Sequence, residues 1–323
     1  MKVFVADNCE SHTKIELVSG KAGTYQSPIK GDLFDEVRSL NQSDVVLIPT
    51  DSYHFGKYPE YISYVKDLAK LKLVLYSNRG DFPTNLRLQN TLELRVALNP
   101  GESQFNKIVV PYNVESLDAL PFRKFQKEPC ISFLGYVPIV SPQRIYKAFR
   151  QSPTHPVAGN GAAVRHLMSI KASQSNFDIR FARRKQYGIA KSESIQQDSN
   201  RREYLNYMAS SDFVLCPRGD ANQSARFYET LSAGRIPLVP NSYITYPSAM
   251  QREQNKVTIN LPLIFGSYSK HVSTFWQGIS SQNDYDRLQR SIRDLYSKQL
   301  EFSAFFHKFF NLSLDELKRQ VHM

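Results

Sequence analysis

One short segment carries side chains that could bind an anion and a sugar together. Arg226 and Glu229 are three residues apart, so on a helix they lie on one face about a turn from each other. Ser224 is placed to cap the amino end of that helix, where free N–H groups and the helix dipole favour negative charge. With Arg218 close by, these groups could bind a diphosphate, and Glu229 could accept hydrogen bonds from ribose hydroxyls.

The residues around this segment predict a strand, a helix and a second strand. An apolar run at 213–216, bounded by Pro217, predicts a buried strand. Residues 225–233 predict a helix that ends at Gly234, and 236–239 predict the next strand. Ligands of open α/β sheets bind where strand ends pass into helix amino ends. A surface ion pair between Arg226 and Glu229 is the alternative, and the surrounding pattern favours a ligand site.

The wider pattern resembles the nucleotide-sugar site of exostosin-like glycosyltransferases. The matching parts are CPRG at 216–219, SARFYE at 224–229 and AGRIPLV at 233–239. The resemblance implies an α/β fold of the GT-B type, in which two Rossmann-like domains face each other across a cleft and C-terminal helices pack back. It also implies that Ser224 and Arg226 bind the donor diphosphate and that Glu229 holds the ribose.

Four more residues complete the predicted nucleotide-sugar site. Residues 130–135 predict a strand whose end, Gly135, resembles the family's SFxG opening, where the backbone approaches the nucleotide because glycine has no side chain. Arg144, on a helix that begins with Pro142, could reach the donor phosphates, or it could be an ordinary exposed arginine. Arg218 and Gly219 lie in the loop before the central helix.

Length and periodicity predict two domains. The 323 residues exceed one typical domain, and we divide them into an acceptor-side domain at 1–125 and a nucleotide-sugar-binding domain at 126–323 that includes C-terminal helices. In the first domain, strands at 2–6, 44–49, 71–76, 92–97 and 108–111 alternate with helices at 32–40 and 59–69, which is typical of a parallel sheet. In the second, we expect a surface loop at 191–202 and a last strand at 256–260.

A catalytic base is expected at the carboxyl ends of the first domain's strands. Asp51 directly follows a predicted strand, and His54 has a side chain that titrates close to neutral pH. Asp81, after the next strand, is a third candidate. Asp51 could instead cap the next element, and His54 could pack against its aromatic neighbours, so the residues alone leave this assignment open.

The charge of the chain indicates an anionic partner. Lys and Arg number 41 against 30 Asp and Glu, a net charge of +11. Candidates are a nucleotide diphosphate, an acidic glycan, an anionic membrane or nucleic acid, and a merely solvated surface is the alternative. Nucleic acid is not expected, because the basic residues are scattered and no recognised motif is present. A phenylalanine stripe at 302–310 could contact a membrane, but core packing is the favoured interpretation.

The sequence predicts an enzyme without a metal or other cofactor. The only D-x-D, at 284–286, falls at the start of a predicted helix, where acids complement the helix dipole. Cys9, Cys130 and Cys216 are widely spaced, which argues against a disulfide scaffold or zinc site and for a reducing compartment. Cys130 and Cys216 border apolar runs, so we expect both to be buried. The chain lacks the N-terminal anchor of animal relatives, so we expect a cytoplasmic protein, with peripheral membrane contact left open.

Together these features predict a metal-independent, inverting glycosyltransferase. It would move a hexosyl or pentosyl group from a nucleotide-sugar donor, with a UDP-sugar favoured, to a hydroxyl of a glycan or glycolipid acceptor. Two alternatives stay open: a catalytically inactive glycosyltransferase-like nucleotide-binding protein, and a basic nucleic-acid-binding protein.

Overall fold

Two all-parallel sheets with flanking helices make up the described part of the chain. The computed structural model describes residues 1–6, 33–51, 59–78, 88–143, 145–146, 160–175, 177–184, 194–219, 221–263 and 266–321. The predicted α/β class, with two parallel sheets, is confirmed. Within these ranges, no helix is both long and apolar enough to cross a membrane.

The first sheet has six strands in the order β2-β1-β3-β4-β5-β6. They are β1 (Lys2–Val5), β2 (Asp35–Glu36), β3 (Val45–Asp51), β4 (Leu73–Asn78), β5 (Thr91–Arg95) and β6 (Lys107–Val109). Helix α1 (Pro59–Leu71) connects β3 to β4. The predicted strands and the helix at 59–69 are therefore confirmed, with ends shifted by a few residues.

Alternating residues of β3 serve two separate cores. Val45 and Leu47 point into a cluster on one face of the sheet, whereas Val46 and Ile48 point into a cluster on the other. Val65 of α1 packs in the second cluster. A strand buried on both faces has a continuous apolar sequence, which is why the run at 44–49 was recognisable.

The second sheet has five strands in the order β11-β10-β9-β7-β8. They are β7 (Cys130–Tyr136), β8 (Asp178–Arg184), β9 (Phe213–Leu215), β10 (Ile236–Pro240) and β11 (Ile259–Leu261). Its helices are α2 (Gly161–Ser173), α3 (Ser194–Ala209), α4 (Ala225–Ser232), α5 (Ser248–Gln251) and α6 (Gln254–Val257). The strand, helix and strand predicted between 213 and 239 are confirmed, and Gly234 follows α4 with a φ of 69°.

The remaining residues are mainly helical. They form α7 (Tyr268–Trp276), α8 (Gln282–Leu295), a π-helical turn (Tyr296–Leu300), α9 (Phe302–Phe310) and α10 (Leu314–Val321). Ser281 caps α8 by accepting a hydrogen bond from Asp284 N, and the Asp284 carboxylate accepts hydrogen bonds from Ser280 and Ser281. The D-x-D therefore lies at the start of a helix, as predicted, with Asp284 in the first turn.

Helix α9 packs back onto the first sheet. Phe302, Phe306, Phe309 and Phe310 are buried in the cluster that contains Val3 and the inward residues of β3, β4 and β5. The core interpretation of the phenylalanine stripe is confirmed, and these four rings are not available to a membrane.

Two predicted elements, the helix at 32–40 and the strand at 256–260, differ in the structure. Residues 33–39 are not a helix: Asp35–Glu36 pairs with β1, and Leu40–Gln42 is a short 3-10 helix. Phe34 packs edge-on against Phe310 at 4.9 Å between ring centroids, and this long-range contact outweighs local helix propensity. The strand expected at 256–260 begins at Ile259 instead, because 254–257 is helical.

The surface loop predicted at 191–202 is largely helix α3, which begins at Ser194. Its serines, glutamines and charges carry little apolar pattern, so the sequence indicated a loop. Further along the helix, Tyr204 and Met208 are buried in the core of the second sheet. Helices in proteins owe most of their stability to such packing rather than to propensity.

A buried polar network ties the amino ends of β7 and β9 to α8. Asp212 accepts hydrogen bonds from Arg123 Nε (2.7 Å), Tyr285 OH (2.8 Å) and Cys130 N (2.8 Å). Arg235, also fully buried, donates to Gln289 Oε1 at 2.9 Å, and burial lowers the pKa of its guanidinium to about 10. The segment at 121–128 therefore fastens the second domain.

We expect Phe306→Ala to lower the free energy of unfolding by about 3–5 kcal/mol, because it removes a fully buried ring and leaves a cavity. Urea denaturation followed by circular dichroism measures the change. Ser303→Ala, on the exposed side of the same helix, should change stability by less than about 0.5 kcal/mol. Equal effects of the two substitutions would show that α9 does not belong to the first core.

Candidate functional site

Those predicted donor-binding residues that the structure describes lie at the carboxyl edge of the second sheet. In this sheet β7 lies between β8 and β9, the two strands that follow it in the sequence. The side on which successive strands are added therefore reverses between β7 and β9, although all the strands are parallel. Ligands of such sheets bind at this switch point. Gly135 lies near the end of β7, and residues 216–219 follow β9.

At the amino end of α4, the hydroxyl of the N-cap serine makes no hydrogen bond to the helix. Ser224 is the N-cap residue, with φ −136° and ψ 133°, and its side chain makes no capping hydrogen bond. Its backbone N–H donates to Gln223 Oε1 at 3.2 Å. The first-turn N–H groups of a helix have no partner within the helix, so this end suits an anion.

Arg226 is held against the end of β7. Its Nη2 donates to the Leu134 carbonyl at 2.6 Å, and its guanidinium lies 4.5 Å from the Phe133 ring centroid. Gly135 makes this possible, because a Cβ atom there would lie 2.9 Å from Arg226 Nη2. Its Nε is buried and has no hydrogen-bond partner among the described residues. Part of the guanidinium's donor capacity is therefore unused.

Glu229 is a buried carboxylate rather than half of a surface ion pair. It is 8% exposed, and its Oε1 accepts from Arg201 Nη1 at 3.0 Å while its Oε2 accepts from Tyr204 OH at 2.6 Å. The alternative of a surface pair with Arg226 is thus wrong. Burial, followed by the charge of Glu229, raises the pKa of Tyr204 well above its usual value, so the phenol stays protonated and donates.

The amino end of a second helix, α2, meets the same loop. A Cβ atom on Gly161 would lie 2.0 Å from the Gly219 carbonyl oxygen, so the helix start and the loop are in direct contact. Arg165, one turn later, donates from Nε to the Arg218 carbonyl at 3.0 Å and from Nη1 to the Tyr136 carbonyl at 3.4 Å. The ends of β7 and β9 are therefore bridged by α2.

The loop that precedes α4 is compact. Arg218 is 2% exposed, and its Nε donates to the Gly219 carbonyl at 3.4 Å. Gly219 N donates to the Gln223 carbonyl, also at 3.4 Å. In this arrangement Arg218 lies at the site but offers little surface to a ligand.

Of the predicted catalytic residues, the structure describes only the backbone of Asp51. The backbone of Asp51 ends β3 opposite Ser77 of β4, and β3 flanks the switch point of the first sheet, between β1 and β3. His54, Asp81 and Arg144 lie outside the described residues. Among the described residues, no group of three or more His, Cys, Asp or Glu side chains could hold a metal ion.

Sequence reasoning missed three residues of this site. Arg165 and Arg201 lie on α2 and α3, and Arg201 also binds Glu115 Oε2 at 2.8 Å. Tyr204, also on α3, is the third. No local pattern could have found them, because their partners are between 25 and 86 positions away.

The two described cysteines are structural. Burial raises the pKa of each thiol to about 12, with Asp178 adding to the effect at Cys130. Neither forms a disulfide.

One family model matches part of the chain. Residues 161–295 match the family described as RXYLT1 C-terminal domain, which confirms the resemblance to exostosin-like glycosyltransferases predicted from the sequence. The matched range contains α2, α3 and α4. It therefore includes Glu229 and both of its hydrogen-bond partners, Arg201 and Tyr204. No curated protein matches the chain.

Solved structures of glycosyltransferases are similar over most of the chain at low identity. A glycosyltransferase from Rickettsia africae ESF-5 has a TM-score of 0.41 and 10% identity, covering 87% of this chain and 78% of that one. Sucrose-phosphate synthase from Thermosynechococcus elongatus has a TM-score of 0.39 and 9% identity, covering 87% and 74%.

We expect Gly161→Ala to destabilise the protein by about 1–3 kcal/mol, because the added methyl group meets a backbone carbonyl that cannot move without the loop. Chemical denaturation measures the change. Ala162→Ser, at the next position, should be nearly neutral. A neutral or stabilising Gly161→Ala would mean that α2 and the loop are not in contact.

Both described thiols should be unreactive in the folded protein. With a pKa of about 12, about one thiol in a thousand is ionised at pH 9, and the thiolate is the reactive form. In a Cys9→Ser variant, Ellman's reagent at pH 9 should therefore release no colour until urea is added, and then titrate Cys130 and Cys216. Rapid reaction before unfolding would contradict their burial.

Proposed function

We propose that this protein, whose residues 161–295 match an exostosin-like glycosyltransferase family, transfers a sugar from a nucleotide-sugar donor to a hydroxyl group of a glycan or glycolipid. A UDP-sugar is the favoured donor, and the transferred group is a hexose or a pentose. The observation that carries the proposal is the partly unused guanidinium of Arg226 beside the uncapped amino end of α4.

The diphosphate of the donor would bind at the amino end of α4. Departure of the nucleotide requires stabilisation of negative charge as it develops, and preorganised N–H groups and guanidinium groups supply this. Ser224 offers its hydroxyl, and Arg226 offers its positive charge. The start of α2, in contact with Gly219, adds a second helix dipole that favours an anion at this loop.

The ribose of the donor would bind beside Glu229. Each carboxylate oxygen has two lone pairs, and each accepts one protein hydrogen bond, from Arg201 or from Tyr204. One lone pair per oxygen is left for the two vicinal hydroxyls of a ribose. A buried carboxylate that already carries two donors is oriented before the ligand arrives, which lowers the entropic cost of binding.

The reaction would proceed with inversion and without a metal ion. A base on the first domain must remove the proton of the acceptor hydroxyl, and Asp51 and His54 are the residues proposed for this step. The arginines and helix ends would replace the cation that other glycosyltransferases place on the diphosphate. We propose a cytoplasmic enzyme; since the α9 rings are buried, any membrane contact would have to use another surface.

Nucleoside diphosphates should stabilise the folded protein. At a concentration about 100 times Kd, a ligand that binds only the native state adds about 2.7 kcal/mol, which differential scanning fluorimetry detects as a higher Tm. We expect the largest shift with UDP in a panel of UDP, GDP, ADP and CMP.

Arg226→Ala should weaken UDP binding by about ten- to a hundredfold, since a charged hydrogen bond contributes roughly 1.5–3 kcal/mol.

Arg287→Ala is the matched control, because Arg287 is exposed on α8 and pairs with Asp284; UDP affinity should not change. No shift with any nucleotide would refute the proposed donor site. Binding of UDP without release of UDP from any UDP-sugar would favour the catalytically inactive protein instead.

A further inference from the structure

One side chain touches both groups of the proposed donor site. The Tyr204 hydroxyl donates to Glu229 Oε2 at 2.6 Å, and the centroid of the Tyr204 ring lies 5.5 Å from Arg226 Cζ. Tyr204 itself is 9% exposed and is packed in the core of the second sheet. It lies on α3, more than twenty residues before either partner, so it connects two separate helices.

These contacts explain why Arg226 and Glu229 do not pair with each other. At a spacing of three on α4, an arginine and a glutamate would normally form an ion pair. Here both carboxylate oxygens accept hydrogen bonds from α3, while Arg226 donates to the Leu134 carbonyl. Separating the two charges keeps each available to a different part of one ligand.

We propose that Tyr204 is a positioning residue of the donor site: its hydroxyl orients Glu229 for the ribose, and its ring supports the Arg226 guanidinium for the diphosphate. The inference rests on the proposed function. Tyrosine suits both roles, because a buried phenol is a neutral donor to a carboxylate and an aromatic face attracts a guanidinium.

The hydroxyl and the ring can be tested separately. Tyr204→Phe keeps the ring and removes the donor, so we expect UDP to bind about tenfold more weakly and inorganic pyrophosphate to bind unchanged. With 2′,3′-dideoxyuridine diphosphate, which lacks the hydroxyls that Glu229 would accept, the variant and the wild type should bind equally. Isothermal titration calorimetry measures all three ligands.

A second variant tests the ring. Tyr204→Leu removes the aromatic face as well, and we expect the affinities for UDP and for pyrophosphate both to fall severalfold. Tyr268→Phe is the matched control, because this buried hydroxyl has no hydrogen-bond partner among the described residues. It should leave every affinity unchanged, so a loss confined to Tyr204 variants is not a general effect of altering a buried tyrosine.

The outcomes separate this inference from the proposed function. If the wild-type protein binds neither UDP nor pyrophosphate, the donor site itself is refuted. If the wild type binds UDP and Tyr204→Phe binds it as tightly, or loses affinity equally for UDP and for the dideoxy ligand, the role of the hydroxyl is refuted while the donor site stands. Unchanged pyrophosphate binding by Tyr204→Leu would refute the role of the ring.

Discussion

A buried negative charge is the constraint on which the site depends. Removing a carboxylate from water costs several kcal/mol unless hydrogen bonds and opposite charge compensate. For Glu229 this cost is offset by hydrogen bonds from Arg201 and Tyr204, both on α3. Burial of the Glu229 carboxylate therefore requires α3 to pack against α4. Arg201 also binds Glu115, which brings the segment after the first sheet to the same place.

The same requirement fixes the opposite edge of the second sheet. Asp212 and Arg235 are both fully buried, and their partners come from the segment at 121–130, from α8 and from the end of α3. Each buried ionic group must find every partner at once, and only one arrangement of helices provides this. The sheet is thus held at its amino edge, while Ser224 and Arg226 lie at its carboxyl edge.

Much of the fold could be predicted because it is encoded in local patterns. The strands at 44–49 and 213–216 are buried on both faces and have short apolar sequences ended by proline or a polar loop. The central helix was recognisable from a serine at its start and Gly234 at its end, where a positive φ favours glycine. Local patterns failed for residues 33–39 and for α3, where a distant aromatic contact or core packing decides the conformation.

Parallel sheets, and the placing of Ser224, Arg226 and Glu229 at one helix, could be read from the residues alone, because strand and helix periods and the i,i+3 spacing are local properties. Which groups these side chains contact depends on tertiary packing. Contacts of Glu229 with Tyr204 and of Arg226 with the Leu134 carbonyl join residues 25 and 92 positions apart. Such pairs follow from how helices pack on the sheet, and packing depends on the whole chain at once.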